Sequence, residues 1–180
     1  MRKLLYAVLL LATVAGCKKE EDKNPNQSAN GTDFTSVRQY DINGVRTGNI
    51  NDATDDYTHE DWPDWVFDLF TPLDTVNLEG YTKSSVSVKD LYPNPCSFTQ
   101  TLNYFATQQV NLKLAIIDQN KKVYFLKSFH LFNGEPNLSL DYEGLGLLPG
   151  NYYRMFYGFS AEDAPFYHRG HIDILVDLDL

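Results

Sequence analysis

The sequence predicts an all-β fold, and three observations carry that prediction. From Ser84 onward, short apolar or alternating runs recur about every ten residues, with turn residues between them. Tyr and Phe number 12 and 11 against 2 Met, a bias toward side chains that fit a pleated, half-buried surface. The last run alternates: Ile172, Ile174, Val176 and Leu178 are set to face one way, and Asp173, Asp177 and Asp179 the other.

In chain order, Arg2 and Lys3 precede an apolar run over 4–14, and small Ala15 and Gly16 precede Cys17. This is the three-part layout of a secretory signal, residues 1–16. The run is about half of the ~20 apolar residues that a membrane-spanning helix needs, so it predicts export rather than a span. Residues 17–32 hold almost nothing apolar and cannot offset the entropy of ordering, which predicts a flexible tether. Residues 33–83 read as an acidic, irregular cap with one short helix over 62–70. Asp61 or Trp62 is expected to cap that helix, Pro63 fits its first turn, and Trp62, Val66, Leu69 and Phe70 share one side. Both tryptophans are expected to pack on the domain that follows.

Residues 84–180 predict seven strands, at 86–91, 98–105, 110–117, 123–132, 137–140, 152–159 and 168–178. That count over about a hundred residues is the one expected of an immunoglobulin-like sandwich. Turn chemistry agrees: Asp118-Gln119-Asn120-Lys121-Lys122 reads as a hairpin loop and Asn133-Gly134-Glu135-Pro136 as the next turn.

Two resemblances add to this. Val14-Ala15-Gly16-Cys17 resembles the lipobox of bacterial lipoproteins, which implies acylation of Cys17 and cleavage before it; the alternative is an ordinary signal peptide with a chance cysteine. Lys19-Glu20-Glu21 resembles the lysine-plus-two-acids signal that sends Bacteroidetes lipoproteins to the outer face of the outer membrane, the alternative being a solvated charge run. Further on, Leu91-Tyr92-Pro93-Asn94-Pro95, the hairpin from Ala115 to Val123 and Leu147-Leu148-Pro149-Gly150-Asn151-Tyr152 resemble, in order, three motifs of the C-terminal sorting domain of type IX secretion cargo. That resemblance implies a seven-stranded immunoglobulin-like sandwich, with Pro93 and Pro95 ending strand pairing and Tyr152 bonding back to its turn as a tyrosine corner does. The chain departs from the pattern in ending Val176-Asp177-Leu178-Asp179-Leu180, where sorting domains end in a basic tail.

The formal charge is −9, and loss of the leader removes two positive groups more. Phosphate recognition needs a basic patch and none is visible, so nucleic acid is not an expected partner. With Cys17 lipidated, Cys96 has no partner in the chain and reads as a small buried apolar residue. His168 and His171, three apart on a strand, face opposite ways and cannot share a metal ion without a bulge. Asp41-Ile42-Asn43-Gly44 is similar to the start of a calcium loop but lacks its terminal Glu; a looser calcium site among Asp52, Asp55, Asp56, Glu60 and Asp61 stays open, against a solvated acidic loop. Gly158-Phe159-Ser160-Ala161-Glu162 lacks the last glycine of a nucleophile elbow, and His59-Glu60-Asp61-Trp62-Pro63 lacks the second histidine of a zinc protease. No enzyme is expected.

The densest aromatic run gives the remaining candidates. Tyr153, Tyr157 and Phe159 share one strand face with Met155; Tyr152, Arg154 and Phe156 share the other. One set must be core, and Tyr153, Tyr157 and Phe159 are the candidates for stacking on a ligand; the alternative is that neighbouring sheet and the cap helix cover both. The expected function is a membrane-anchored, cell-surface lipoprotein acting as a non-enzymatic binding or structural module. Its partners would be the membrane, through the anchor, and a glycan or outer-membrane protein. The alternatives are a type IX sorting signal and a glycan-binding accessory lipoprotein.

Overall fold

A computed structural model of the chain describes residues 34–48, 56–58, 62–73, 83–132, 137–161 and 164–179. Among the described residues are ten strands and one helix: β1 (Gln39–Tyr40), β2 (Arg46–Thr47), β3 (Asp56–Thr58), α1 (Asp64–Leu69), β4 (Val86–Tyr92), β5 (Thr99–Ala106), β6 (Val110–Ile117), β7 (Val123–Leu131), β8 (Asn137–Asp141), β9 (Tyr152–Ala161) and β10 (Ala164–Leu175). They form three antiparallel sheets, a β1-β2 hairpin, a five-stranded sheet ordered β3-β10-β9-β6-β7 and a three-stranded sheet ordered β4-β5-β8. The all-β expectation holds, and β4 to β10 stand at the seven predicted runs.

Alternation builds the core between the two larger sheets. Leu102 and Tyr104 of β5, Leu112, Leu114 and Ile116 of β6, Tyr153, Met155, Tyr157 and Phe159 of β9, and Ile172 and Ile174 of β10 all enter one buried cluster. Each such side chain contributes about 1.5–3 kcal/mol by leaving water.

The opposite face of the five-stranded sheet is covered by the N-terminal residues. Trp62, Val66 and Phe70 pack on Ala115 and Ile117 of β6 and Phe156 of β9, which is why β6 is buried along its whole length. Trp62 stacks on Phe70 with centroids 5.3 Å apart, and Trp65 meets Phe156 edge-on at 5.7 Å. Gly158 of β9 makes room for this layer: a Cβ there would stand 3.0 Å from Trp62 and closer still to the Phe166 ring. Both tryptophans thus pack on the sandwich as expected.

Several expectations are corrected. Pro63 itself occupies the position before α1, with no side-chain cap, because Val66 N–H bonds the Pro63 carbonyl at 2.8 Å; Asp61 lies outside the described residues. One element within 33–83 is a strand that the sequence reading did not expect: β3 pairs with β10, Tyr57 opposite His171. Asp173 stands on the face opposite Ile172 and Ile174, as the alternation predicts, yet is only 1% exposed there; Leu178, expected on the isoleucine side, lies beyond the end of β10 and is half exposed.

The Asp118 hairpin is as expected, and a second of the same build joins β1 to β2. In each, an aspartate Oδ1 accepts backbone N–H groups two and four residues on, Asn43 and Val45 for Asp41, Asn120 and Lys122 for Asp118. The residue three after the aspartate is left-handed, Gly44 at φ 73° and Lys121 at φ 64°. Asp41 is therefore a turn residue rather than the head of a calcium loop. The turn expected at 133–136 lies outside the described residues.

Candidate functional site

The end of the sandwich holding Tyr92 to Cys96 is organised by buried polar groups. Pro93 and Pro95 lack N–H groups, so β4 stops at Tyr92 and the next residues pair elsewhere. Asn94 exchanges backbone hydrogen bonds with Tyr40, at 2.8 and 2.9 Å, docking the β1-β2 hairpin. Its side chain donates to the Asp173 carbonyl at 2.8 Å and accepts from Leu175 N–H at 3.2 Å, reaching β10. Gln100 donates to the Pro93 carbonyl at 2.7 Å and accepts from the Tyr142 hydroxyl at 3.0 Å. Cys96 N–H bonds the Leu175 carbonyl and Asp177 N–H bonds the Cys96 carbonyl. One short segment thus ties the hairpin, the three-stranded sheet and β10 together, leaving these buried groups paired.

Because the hairpin docks at Asn94, it overhangs the outer face of the three-stranded sheet and encloses a cleft of about 670 Å³. The outward residues of β5 and β8, Thr99, Thr101 and Ser139, line it. Tyr92, Pro93, Pro95 and Ser97 form one wall; Gln39, Tyr40, Asp41, Ile42 and Thr47 of the hairpin form the other. Tyr92 is held from the hairpin side, where a Cβ on Gly44 would stand 3.2 Å from the Tyr92 ring, so both close approach and backbone conformation call for glycine there. The sequence signal for the overhanging hairpin is Asn43-Gly44, a hairpin dipeptide.

A second, smaller pocket of about 260 Å³ lies between the Asp118 hairpin and the loop before β9, lined by Asp118, Asn151 and Tyr153 among others. Tyr153, not Tyr152, makes the bond back to that loop: its hydroxyl accepts Leu148 N–H at 2.7 Å. Burial raises the Tyr153 phenol above its usual range.

Tyr153, Tyr157 and Phe159 are 2%, 0% and 0% exposed, and on the other face of β9 Arg154 and Phe156 are buried as well. The cap layer on one side and the facing sheet on the other leave no ring of the three open for stacking. His168 lies against Tyr157 and Phe159, and His171 against Phe156, so they occupy opposite faces of β10. No group of three or more His, Cys, Asp or Glu that could hold a metal occurs among the described residues. Ser160 sits buried inside β9, with no turn around it. Cys17, Lys19, Glu20, Glu21 and, of the acidic set, Asp52, Asp55, Glu60 and Asp61 lie outside the described residues; Asp56 opens β3.

Cys96 is buried, and that burial pushes its thiol up to about 12. The native state therefore favours the neutral thiol, giving stability that is whole below the unfolded value of 9.0 and lost as pH rises through about 12. Tyr142, raised well above 10.0 mainly by burial, acts in the same direction; Lys113, lowered from 10.5 by burial, acts against it. Cys96 is expected to resist a thiol-disulfide reagent at pH 8 in native protein and to react stoichiometrically in urea, with the label placed by mass spectrometry. Rapid native labelling would contradict this burial.

No family model, no curated protein sequence and no solved structure matches the chain.

Proposed function

We propose that the chain is a lipid-anchored, non-enzymatic module of the cell surface, in which residues 84–180 form an immunoglobulin-like sandwich that binds a ligand or partner. The anchor is Cys17, and Lys19, Glu20 and Glu21 route it to the outer face of the outer membrane. A diacylated, N-acylated cysteine buries enough CH₂ to hold such a domain on a bilayer. The sandwich reading is supported by β4 to β10 dividing three to four between facing sheets, with β5 to β6, β7 to β8 and β8 to β9 crossing between them. Binding, rather than a purely structural role, is supported by one observation above all, the cleft beneath the β1-β2 hairpin.

A second reading, that residues 84–180 serve as a type IX sorting signal, is supported by the convergence of the three motif segments at one end. Gly150 N–H bonds the Val176 carbonyl, Cys96 pairs beside Val176, and Asp118 and Tyr153 line one pocket.

The intact mass of the mature protein from cell membranes, with protease shaving of whole cells, separates these readings. An acylated Cys17 start with Leu180 retained, on a shaving-sensitive protein, is the expected result. An unmodified N-terminus, or protection inside sealed cells, would overturn the surface lipoprotein. Loss of the C-terminal domain would select the sorting signal.

A further inference from the structure

The chemistry of the cleft indicates what it takes. We propose that the cleft between the β1-β2 hairpin and the outer face of β4-β5-β8 is a subsite for a neutral glycan, with Tyr92 as the stacking surface. The proposal rests on the reading of the chain as a binding module.

Charge is the first argument. No Lys, Arg or His occurs among the described lining residues, so the lining brings no cation to pair with a phosphate, sulfate or carboxylate. Asp41 is the one carboxylate, and its Oδ1 is occupied by Asn43 and Val45 N–H groups within its own turn. Among the described lining residues an anionic ligand finds no opposite charge and a cationic ligand a single, partly engaged one.

The polar groups that remain are mostly hydroxyls. Thr99, Thr101 and Ser139 lie on the floor, with Ser97 and Thr47 on the walls. A hydroxyl both donates and accepts, which suits a ligand whose own groups do the same, as a sugar's do. Beside them Tyr92 and Ile42, the latter 77% exposed, supply the apolar surface that a pyranose C–H face requires.

Topology decides against an extended peptide. Peptides that add to a sheet do so along a free edge, through main-chain hydrogen bonds. The floor here crosses β5, whose ladder is already used by β4 on one side and β8 on the other, so β5 presents only its side chains to the cleft. The volume, about 670 Å³, lies within the range of small-ligand sites.

The test uses detergent-solubilised full-length mature protein, titrated calorimetrically with neutral oligosaccharides (cello-, xylo-, manno- and malto-hexaose), with heparin hexasaccharide and a mixed tripeptide-to-decapeptide pool as comparisons. At least one neutral hexaose is expected to bind, and Tyr92→Ala is expected to weaken it about tenfold or more. Ser139→Arg, at an exposed floor position, is expected to block the same titration while leaving the thermal midpoint of the protein unchanged, which covers the case where Tyr92→Ala disturbs the hairpin. Failure of every neutral hexaose, equal binding by the Ser139→Arg protein, or preferential binding of heparin or peptide would overturn the assignment. An unacylated protein that still binds through Tyr92 would sink the anchor and spare the subsite; an acylated one that binds no hexaose would do the reverse.

Discussion

Replacing Arg154 by Met is expected to cost about 3–5 kcal/mol of folding stability, because it strands the Asp173 carboxylate inside the fold. The two residues stand opposite each other on β9 and β10, bonded through Arg154 Nε to Oδ1 at 2.6 Å and a second guanidinium N–H to Oδ2 at 2.7 Å. Their exposures are 5% and 1%, so water cannot take over either charge. Phe34 lies over the guanidinium, 4.9 Å from its ring centroid, and the Phe34 carbonyl accepts a bond from Gln119, so the N-terminal segment closes the site. Breaking such a pair costs far more than replacing it whole. The double variant Arg154→Met/Asp173→Leu is accordingly expected to recover most of the loss in urea denaturation. A single variant within 1 kcal/mol of the parent would show that the charges reach solvent.

Trp62→Ala is expected to cost a similar amount, about 3–5 kcal/mol, by opening a cavity between the cap and the five-stranded sheet. Trp62 is 5% exposed and touches Phe67, Phe70, Phe156 and Phe166. The same experiment decides whether cap and sandwich unfold as one. Because β3 shares a sheet with β10, a single transition with coincident tryptophan fluorescence and circular dichroism is expected for the parent, and both should shift together in the variant. A fluorescence transition that separates from an unmoved dichroism transition would make the cap an independently melting layer.

What could be read in advance follows from which rules are local. Strands β4 to β10 were legible because two-residue alternation and the turn residues between runs are properties of neighbours in sequence. β6 is the clearest case, expected and found at the same bounds. The outer faces were not legible. Asp173 alternates with isoleucines and so reads as solvent-facing, and only its partner across the sheet, Arg154, reveals it as buried. The aromatic run from Tyr152 to Phe159 leaves two readings open, one face free for stacking or both covered by neighbouring sheet and the cap helix, and the structure takes the second. The tyrosine that bonds back to its loop is Tyr153 and not its neighbour Tyr152, since sequence does not say which of two adjacent rings turns inward. The cleft was missed for a related reason: its floor of Thr99, Thr101 and Ser139 looks like ordinary exposed strand until the hairpin is laid over it.

The position of β10 dictates the order in which this fold can assemble. It is the last strand in sequence, yet it sits between β3 and β9, and its final residues hold Asn94 and Cys96. A chain emerging from its N-terminus first makes β3 well over half of the sequence before the strand that pairs with it, since Thr58 stands opposite Gly170. The Trp62 layer likewise waits for Phe156 and Phe166. Such non-local closure slows folding, and it means that no partial chain can complete the five-stranded sheet. Under the proposed export, that delay would keep the polypeptide threadable until its C-terminal strand has crossed.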